Sequence, residues 1–314
     1  MDGVENVLEI RGLCKRYSGF ALTNVSFSVP RGYVMGLIGP NGAGKTTTLK
    51  TILGLLQPDF GEIRTFGLDA ALHGKKARAR IGFVHDDPRF YDHLSLAQNA
   101  HIVRRFYRTW DPESFQRLAK SFGLPLEKRF GTLSRGNKTK FALALALSHR
   151  AEFVIMDEPT SGLDPVFRRD LLDSLTDLLQ DERTSILFST HITSDLERIA
   201  DYITLIQHGR VVFSVAKDEI LERWALVKGG LDLLDQLPAD TFRGVRRGEH
   251  GFEALTDDAE ATRARLGDAV IIDRASLDDV VLYTSGAASA DEMVNVGAST
   301  LADDVGAEGG RTDA

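Results

Sequence analysis

The sequence predicts an α/β fold built on a mainly parallel sheet covered on both faces. Three observations carry that expectation. Short, almost wholly apolar segments alternate with segments of helical periodicity. A glycine-rich turn, Gly39 to Gly44, lies between one such strand and the helix after it. A second apolar strand, Phe153 to Met156, ends in two adjacent acids, Asp157 and Glu158. Strands alternating with helices pair in parallel, because each crossover carries the chain back across the sheet.

Tyr33 to Ile38 is an apolar run that stops at Gly39-Pro40, as a buried strand does. Thr46 to Leu56 follows with Leu49, Ile52, Leu53 and Leu56 at helical spacing, and Pro58 and Gly61 end it. Arg80 to His85 reads as a strand. Ser95-Leu-Ala-Gln98 is a capping box that opens a helix toward Tyr107, and Asp111-Pro112 is an N-cap with a first-turn proline. Lys138 to Ser148 is helical and rich in Ala and Leu. Asp164-Pro165 starts a helix to about Gln180, Ser185 to Ser189 is a strand, Ser194 to Ala200 a helix, and Tyr202 to Gln207 and Val211 to Val215 are strands. Gly229-Gly230 reads as a linker. Beyond it, Thr241 to Val245 and Ala269 to Asp273 are expected strands, and Asp257 to Leu266 and Leu277 to Tyr283 expected helices.

The expected domains are therefore 1–228, with a helical part near 88–150, a small α/β extension at 229–285, and a tail at 286–314. Of the 314 residues, 38 are Lys or Arg and 45 Asp or Glu, a net charge of −7 that argues against holding nucleic acid by bulk positive charge. The tail holds six acids and one base, so it carries −5 of that total. It has no aromatic residue and is rich in Ala, Gly and Ser, a composition expected to stay disordered. One cysteine, Cys14, excludes an intramolecular disulfide framework. No apolar run approaches the roughly 18 residues of a membrane span, and Met1 to Ile10 lacks a signal-peptide pattern. These features lead to the expectation of a cytoplasmic protein.

Gly39-Pro-Asn-Gly-Ala-Gly44-Lys45-Thr46 fits G-x-x-x-x-G-K-[ST] between a strand and a helix. Glycines let successive N–H groups curl toward phosphate oxygens, and the helix N-terminus adds partial positive charge. The candidate cradle is Gly39, Asn41, Gly42, Ala43, Gly44, Lys45, Thr46 and Thr47. Lys45 reaches the β- and γ-phosphates of ATP, and the Thr46 hydroxyl is placed to ligate Mg²⁺. Asp157 and Glu158 reach the C-terminal end of their strand, where open α/β sheets bind ligands. Asp157 is the candidate metal ligand and Glu158 the candidate general base.

Further motifs narrow the class. Leu133-Ser134-Arg135-Gly136-Asn137 resembles the LSGGQ signature of ABC ATPases. Glu158-Pro-Thr-Ser-Gly-Leu-Asp164 resembles the family's D-loop, and Ser189-Thr190-His191 its switch histidine. The resemblance spans roughly residues 6 to 225. It implies a P-loop NTPase of the ABC ATPase fold, with a mainly parallel core sheet, an antiparallel β subdomain and a helical subdomain. It also implies a dimer, of two copies or of one copy with a related subunit, closing on two ATP·Mg²⁺. His191 would contact the γ-phosphate, and Tyr17 would stack on adenine, although such a residue alone is more often packed at an edge. Ser134 and Gly136 would meet the opposite subunit's nucleotide; Ser134 also reads as a plain N-cap. Asp164 reads both as an interface residue and as the N-cap of the helix at Pro165.

Two places depart from the pattern. Asp86 stands where the family carries a glutamine that contacts Mg²⁺ and senses the membrane partner, so Asp86 is the third candidate metal residue. In the signature, Arg135 replaces a glycine and Asn137 the glutamine; Arg135 either adds a donor toward phosphate or faces solvent. Phe90, Tyr91, His93 and Leu94 fit either an anchor for a membrane-subunit helix or packing over the helix that follows. The basic groups at 75–80 and 104–108 read as solvated faces or as contacts for a membrane surface or a partner loop.

The resemblance implies an ATPase subunit that energises a separate integral membrane transporter subunit, peripheral on the inner face of the cell membrane, with export as a guess from overall similarity. The rival reading is a soluble ABC ATPase with a regulatory or assembly role. Only 88 positions separate Lys45 from Leu133, too few for the long coiled coil of repair-type relatives.

Overall fold

The computed structural model describes residues 5–179, 184–238, 240–284 and 293–294. Two compact units divide at Asp218/Glu219.

The first unit opens with β1 (Asn6–Tyr17) and β2 (Phe20–Pro30), followed by β3 (Val34–Ile38) and α1 (Lys45–Ile52). Next come β4 (Phe60–Thr65), β5 (Leu68–Asp69), α2 (Ala70–Arg78) and β6 (Ile81–Val84). Asp69 caps α2 by accepting from Ala71 and Leu72. The strands β2-β1-β4-β5 make an antiparallel sheet. The expected helix at Thr46–Leu56 starts one residue earlier and stops at Ile52. Gly54 then takes φ +69°, a left-handed value that ends the helix.

Three helices form the helical part: α3 (Leu96–Val103), α4 (Pro112–Ser121) and α5 (Arg135–Ser148). Ser95 and Gln98 form the expected capping box, and Asp111 caps α4 by accepting from the Ser114 amide at 3.0 Å. Phe90 meets Phe130 and Phe141 edge-to-face, with centroids 5.2 and 5.3 Å apart. Phe90 is thus a packing residue, whereas Tyr91 is exposed.

The remaining elements of this unit are β7 (Phe153–Asp157), α6 (Pro165–Leu179), β8 (Ser185–Thr190), α7 (Thr193–Ile199), β9 (Tyr202–Gln207) and β10 (Arg210–Ala216). The core sheet has the order β10-β9-β3-β8-β7-β6, parallel throughout except for β10. Every residue of β3, β7 and β8 is buried, as near-continuous apolar strands covered on both faces require. Leu49 and Ile52 of α1 and its C-cap Leu53 share one core with Leu13 and Val25 of the antiparallel sheet and Met35, Leu37, Ile155 and Leu187 of the parallel sheet. Each fully buried Leu or Ile there contributes about 2 kcal/mol. Where β6 and β7 begin, the Arg80 guanidinium donates to both oxygens of Glu152, at 2.5 and 2.6 Å. That pairing holds the Glu152 carboxyl below its ordinary range.

The second unit follows α8 (Lys217–Arg223), which spans the division. It contains β11 (Ala225–Gly229), α9 (Leu231–Leu234), β12 (Gly244–Arg247), β13 (Phe252–Thr256), α10 (Ala259–Leu266), β14 (Val270–Arg274), α11 (Leu277–Thr284) and β15 (Met293–Val294). Its sheet, β14-β11-β13-β12-β15, is antiparallel. The linker expected at Gly229-Gly230 is corrected. Gly229 belongs to β11, paired on both sides, and a Cβ there would lie 2.8 Å from the Phe252 ring. The glycine is there to admit that ring. Apart from Met293–Val294, the expected tail at 286–314 lies outside the described residues.

His149, after α5, is 1% exposed and stacked on Tyr107 at 3.9 Å, and neither ring nitrogen has a hydrogen-bond partner. Burial pushes its pKa from 6.5 down to about 4. In that window the unfolded chain binds a proton that the folded chain refuses. The stability is therefore complete above pH 6.5 and is lost as pH falls toward 4. His149→Phe keeps a stacking ring and removes the proton. Urea unfolding between pH 7 and about 4 is expected to show a flatter pH dependence for the variant than for the wild type.

Candidate functional site

Three adjacent parallel strands deliver the candidate residues to one edge. Ile38 of β3 pairs with Thr190 of β8, and Ser189 of β8 pairs with Asp157 of β7. Consequently the loop after β3, the acids at the end of β7 and His191 after β8 lie side by side.

The loop after β3 reaches α1 through Gly44, whose φ of +112° only glycine adopts without strain. A Cβ at Gly44 would also lie 2.5 Å from Leu22. By helix geometry the first-turn N–H groups of α1, from Lys45 onward, have no helical acceptor and are available to an anion. The Lys45 side chain is 6% exposed; its Nζ donates to the Gly39 carbonyl at 2.6 Å and the Pro40 carbonyl at 3.2 Å, and lies 3.1 Å from Glu158 Oε1. The other carboxylate oxygen, Oε2, is 2.8 Å from His191 Nδ1. Both oxygens of Glu158 are therefore engaged, one by the phosphate-loop lysine and one by the strand-end histidine.

Glu158 sits at φ +48°, in the left-handed region that non-glycine residues avoid. Strain of that kind is of order 1–3 kcal/mol and needs surrounding bonds to hold it. Here the Glu158 amide donates to the Ser189 carbonyl at 3.0 Å and to its hydroxyl at 3.2 Å. Asp157 is 1% exposed and accepts at Oδ1 from Ser189 at 2.7 Å and from Thr46 at 3.2 Å. Thr46 and Asp157 thus meet across 111 positions of sequence. A hydroxyl and a carboxylate are hard oxygen donors. They suit Mg²⁺, which is commonly held by one or two carboxylates, with water and phosphate oxygens completing the set. Among the described residues no group of three or more His, Cys, Asp or Glu is placed to hold a metal by itself, in keeping with such a shared site.

The other candidates fall around this centre. Ser134 caps α5, accepting from the Asn137 amide at 3.4 Å, and Asp164 caps α6, accepting from Val166 and Phe167 at 3.1 Å. Gly136 is buried against the Phe167 ring, which a Cβ would meet at 2.5 Å. Tyr17 is half exposed at the end of β1; its cross-strand partner Phe20 lies against Gly44. Asp86 is engaged away from Thr46 and Asp157. Its carboxylate pairs with the His85 ring and accepts from the Asp87 amide at 2.8 Å.

A buried ion pair escaped the sequence reading. Asp195, 1% exposed on α7, accepts from Thr160 at 2.6 Å and from Arg168 Nε at 2.5 Å, while Arg168 also donates to Ser194 at 2.8 Å. This ties the segment two residues after Glu158 to the segment four residues after His191. The only signal in sequence was an acid in the first turn of a helix, which the helix dipole explains equally well.

A family model described as ABC transporter matches residues 22–161. The bacitracin transport ATP-binding protein BcrA of Enterococcus faecalis is 33% identical over 223 residues, 70% of this chain and 72% of its own length. The Nod factor export ATP-binding protein I of Ralstonia nicotianae is 33% identical over 229 residues, 70% of each chain. The solved structure of an ATP binding subunit of an ABC transporter superposes with a TM-score of 0.61 at 30% identity, over 68% of this chain and 91% of its own.

Asp195→Ala leaves the Arg168 guanidinium without its buried acid. The variant is expected to lose about 3 kcal/mol of unfolding free energy in urea titration, and Asp195→Asn, which keeps the shape and an acceptor, to lose less.

Proposed function

Since the chain belongs to the ABC transporter ATP-binding proteins, we propose that it hydrolyses ATP on the Gly39–Thr47 loop with Glu158 as general base. The hydrolysis drives a separate membrane transporter subunit. The observation that carries this reading is the run of contacts Lys45–Glu158–His191, at 3.1 and 2.8 Å, beside the Thr46–Asp157 pair.

Lys45 is held by two loop carbonyls and by Glu158. A γ-phosphate offers Lys45 a stronger, charge-assisted acceptor. Transfer of Lys45 to phosphate frees Glu158 Oε1, which then accepts the proton of the attacking water. His191 keeps Oε2 and holds the carboxylate in line. The base is thus released by the substrate it acts on. Thr46 and Asp157 hold Mg²⁺, with Asp86 on the adjoining loop as a third oxygen that must first leave His85. Mg²⁺, when bound, supplies charge neutralisation for the phosphate chain.

Two such sites close in a dimer of two copies or of related subunits, with Ser134, Gly136 and Asp164 at the facing surfaces and Tyr17 beside the adenine. No helix among the described residues is long and apolar enough to cross a membrane. The membrane path belongs to the partner, and the chain sits on the cytoplasmic face through it. Export is the favoured direction, supported by relatives named for bacitracin transport, Nod factor export and, as probable, multidrug transport.

Glu158→Gln is expected to keep ATP affinity and to lose hydrolysis by about 10²- to 10⁴-fold. Phosphate release and a nucleotide titration on the same sample measure both. Normal turnover by Glu158→Gln overturns the base assignment. Lys45→Ala is expected to weaken ATP binding in the same titration.

A further inference from the structure

Two of the departures from the family pattern, Asp86 and Arg135, meet in space. Arg135 is the first residue of α5, immediately after its N-cap Ser134. A cation at that end of a helix is opposed by the helix dipole, by about 0.3–1 kcal/mol, so its position needs another cause. The cause is two loops. Arg135 Nη2 donates to the backbone carbonyl of Asp86 at 3.2 Å. The same guanidinium lies on Gly162, where an ideal Cβ would stand 2.7 Å from Nη1. Gly162 has φ +68°, so both its conformation and the space around it call for glycine.

These loops leave the C-terminal ends of β6 and β7, neighbouring parallel strands. The Asp86 carboxylate turns into its own loop, toward His85 and the Asp87 amide, and leaves the carbonyl for Arg135. The start of α5 is fixed on the other side as well. Gly136 lies flat on Phe167, and Lys140 Nζ is 4.5 Å from that ring's centroid and 3.9 Å from Asp170. α5 and α6 thus begin as one packed block, and Arg135 is the polar link from that block to the loop after β6.

We infer that Arg135 is a positioning residue. It ties the Asp86 loop to the start of α5 and to the loop around Gly162, so that a displacement of the first is transmitted to a segment four residues from Glu158. The inference deepens the ATPase reading and rests on it for its effect on turnover. An arginine supplies this link where glycine could not. Its reach spans both loops, and its planar fork offers several donors.

The test uses the full chain as wild type, Arg135→Gly and Arg135→Lys, with amide hydrogen exchange on peptides covering 85–89 and 160–163 and with steady-state ATP hydrolysis. Arg135→Gly is expected to raise exchange in both loops about tenfold and to lower kcat about tenfold, with KM for ATP within about twofold because the phosphate loop is untouched. Arg135→Lys, which keeps one donor, is expected to recover most of the protection and of kcat. Unchanged exchange at the Asp86 loop, a rise spread evenly over the chain, or a lysine variant no better than the glycine variant overturns the inference. A wild-type chain that does not hydrolyse ATP refutes the ATPase reading instead, and the exchange comparison still decides the link.

Discussion

The parallel ladder of β3, β8 and β7 is the constraint on which the site depends. A side chain in a strand alternates between faces, so a slip of one residue would exchange the faces of every residue in it. Here all three strands are buried throughout, and the register is held by pairs such as Ile38 with Thr190 and Asp157 with Ser189. Because that register holds, three loops far apart in sequence emerge side by side. The candidate site consists of residues at or just beyond the ends of these strands: Gly39 to Thr46, Asp157 with Glu158, and His191.

Placing charge at the end of a buried sheet is costly, and the structure meets the cost by pairing. Lys45 and Asp157 are nearly inaccessible, yet Lys45 has two carbonyls and a carboxylate, and Asp157 has two hydroxyls. A buried charge without such partners would instead shift its pKa or disrupt the fold. His149 is the contrast. It is a buried imidazole with no hydrogen-bond partner, and it remains neutral down to about pH 4. The same accounting explains Asp195, whose carboxylate binds the segments carrying Glu158 and His191 to one another through Thr160 and Arg168.

Much of the site was readable in the chain because its chemistry is contiguous. The phosphate loop, the acids after Phe153–Met156 and the histidine after Ser185–Ser189 each declare themselves within a few residues. The capping residues Ser95, Asp111 and Asp164 were legible for the same reason. What could not be read depends on distance. The bond between Arg135 and Asp86 spans 49 positions, and that between Thr160 and Asp195 spans 35. Nothing local to Arg135 distinguishes a loop clamp from a solvated arginine, and Phe90 declares itself a packing residue only once Phe130 and Phe141 meet it. In the second unit Gly229 looked like a linker because a glycine pair is a turn signal. Its actual cause is the Phe252 ring on the neighbouring strand, which only pairing reveals.

Lys45 stands between the Gly39 and Pro40 carbonyls and Glu158, and the proposed hydrolysis turns on its passing from Glu158 to a phosphate. The most direct test is a structure of the Glu158→Gln chain with ATP and Mg²⁺, compared with the nucleotide-free wild type. Lys45 Nζ is expected to leave its 3.1 Å contact at position 158 for a phosphate oxygen, while position 158 stays beside His191. A bound nucleotide with Lys45 still on the side chain at 158, or with phosphates away from the Gly39–Thr47 loop, would contradict it.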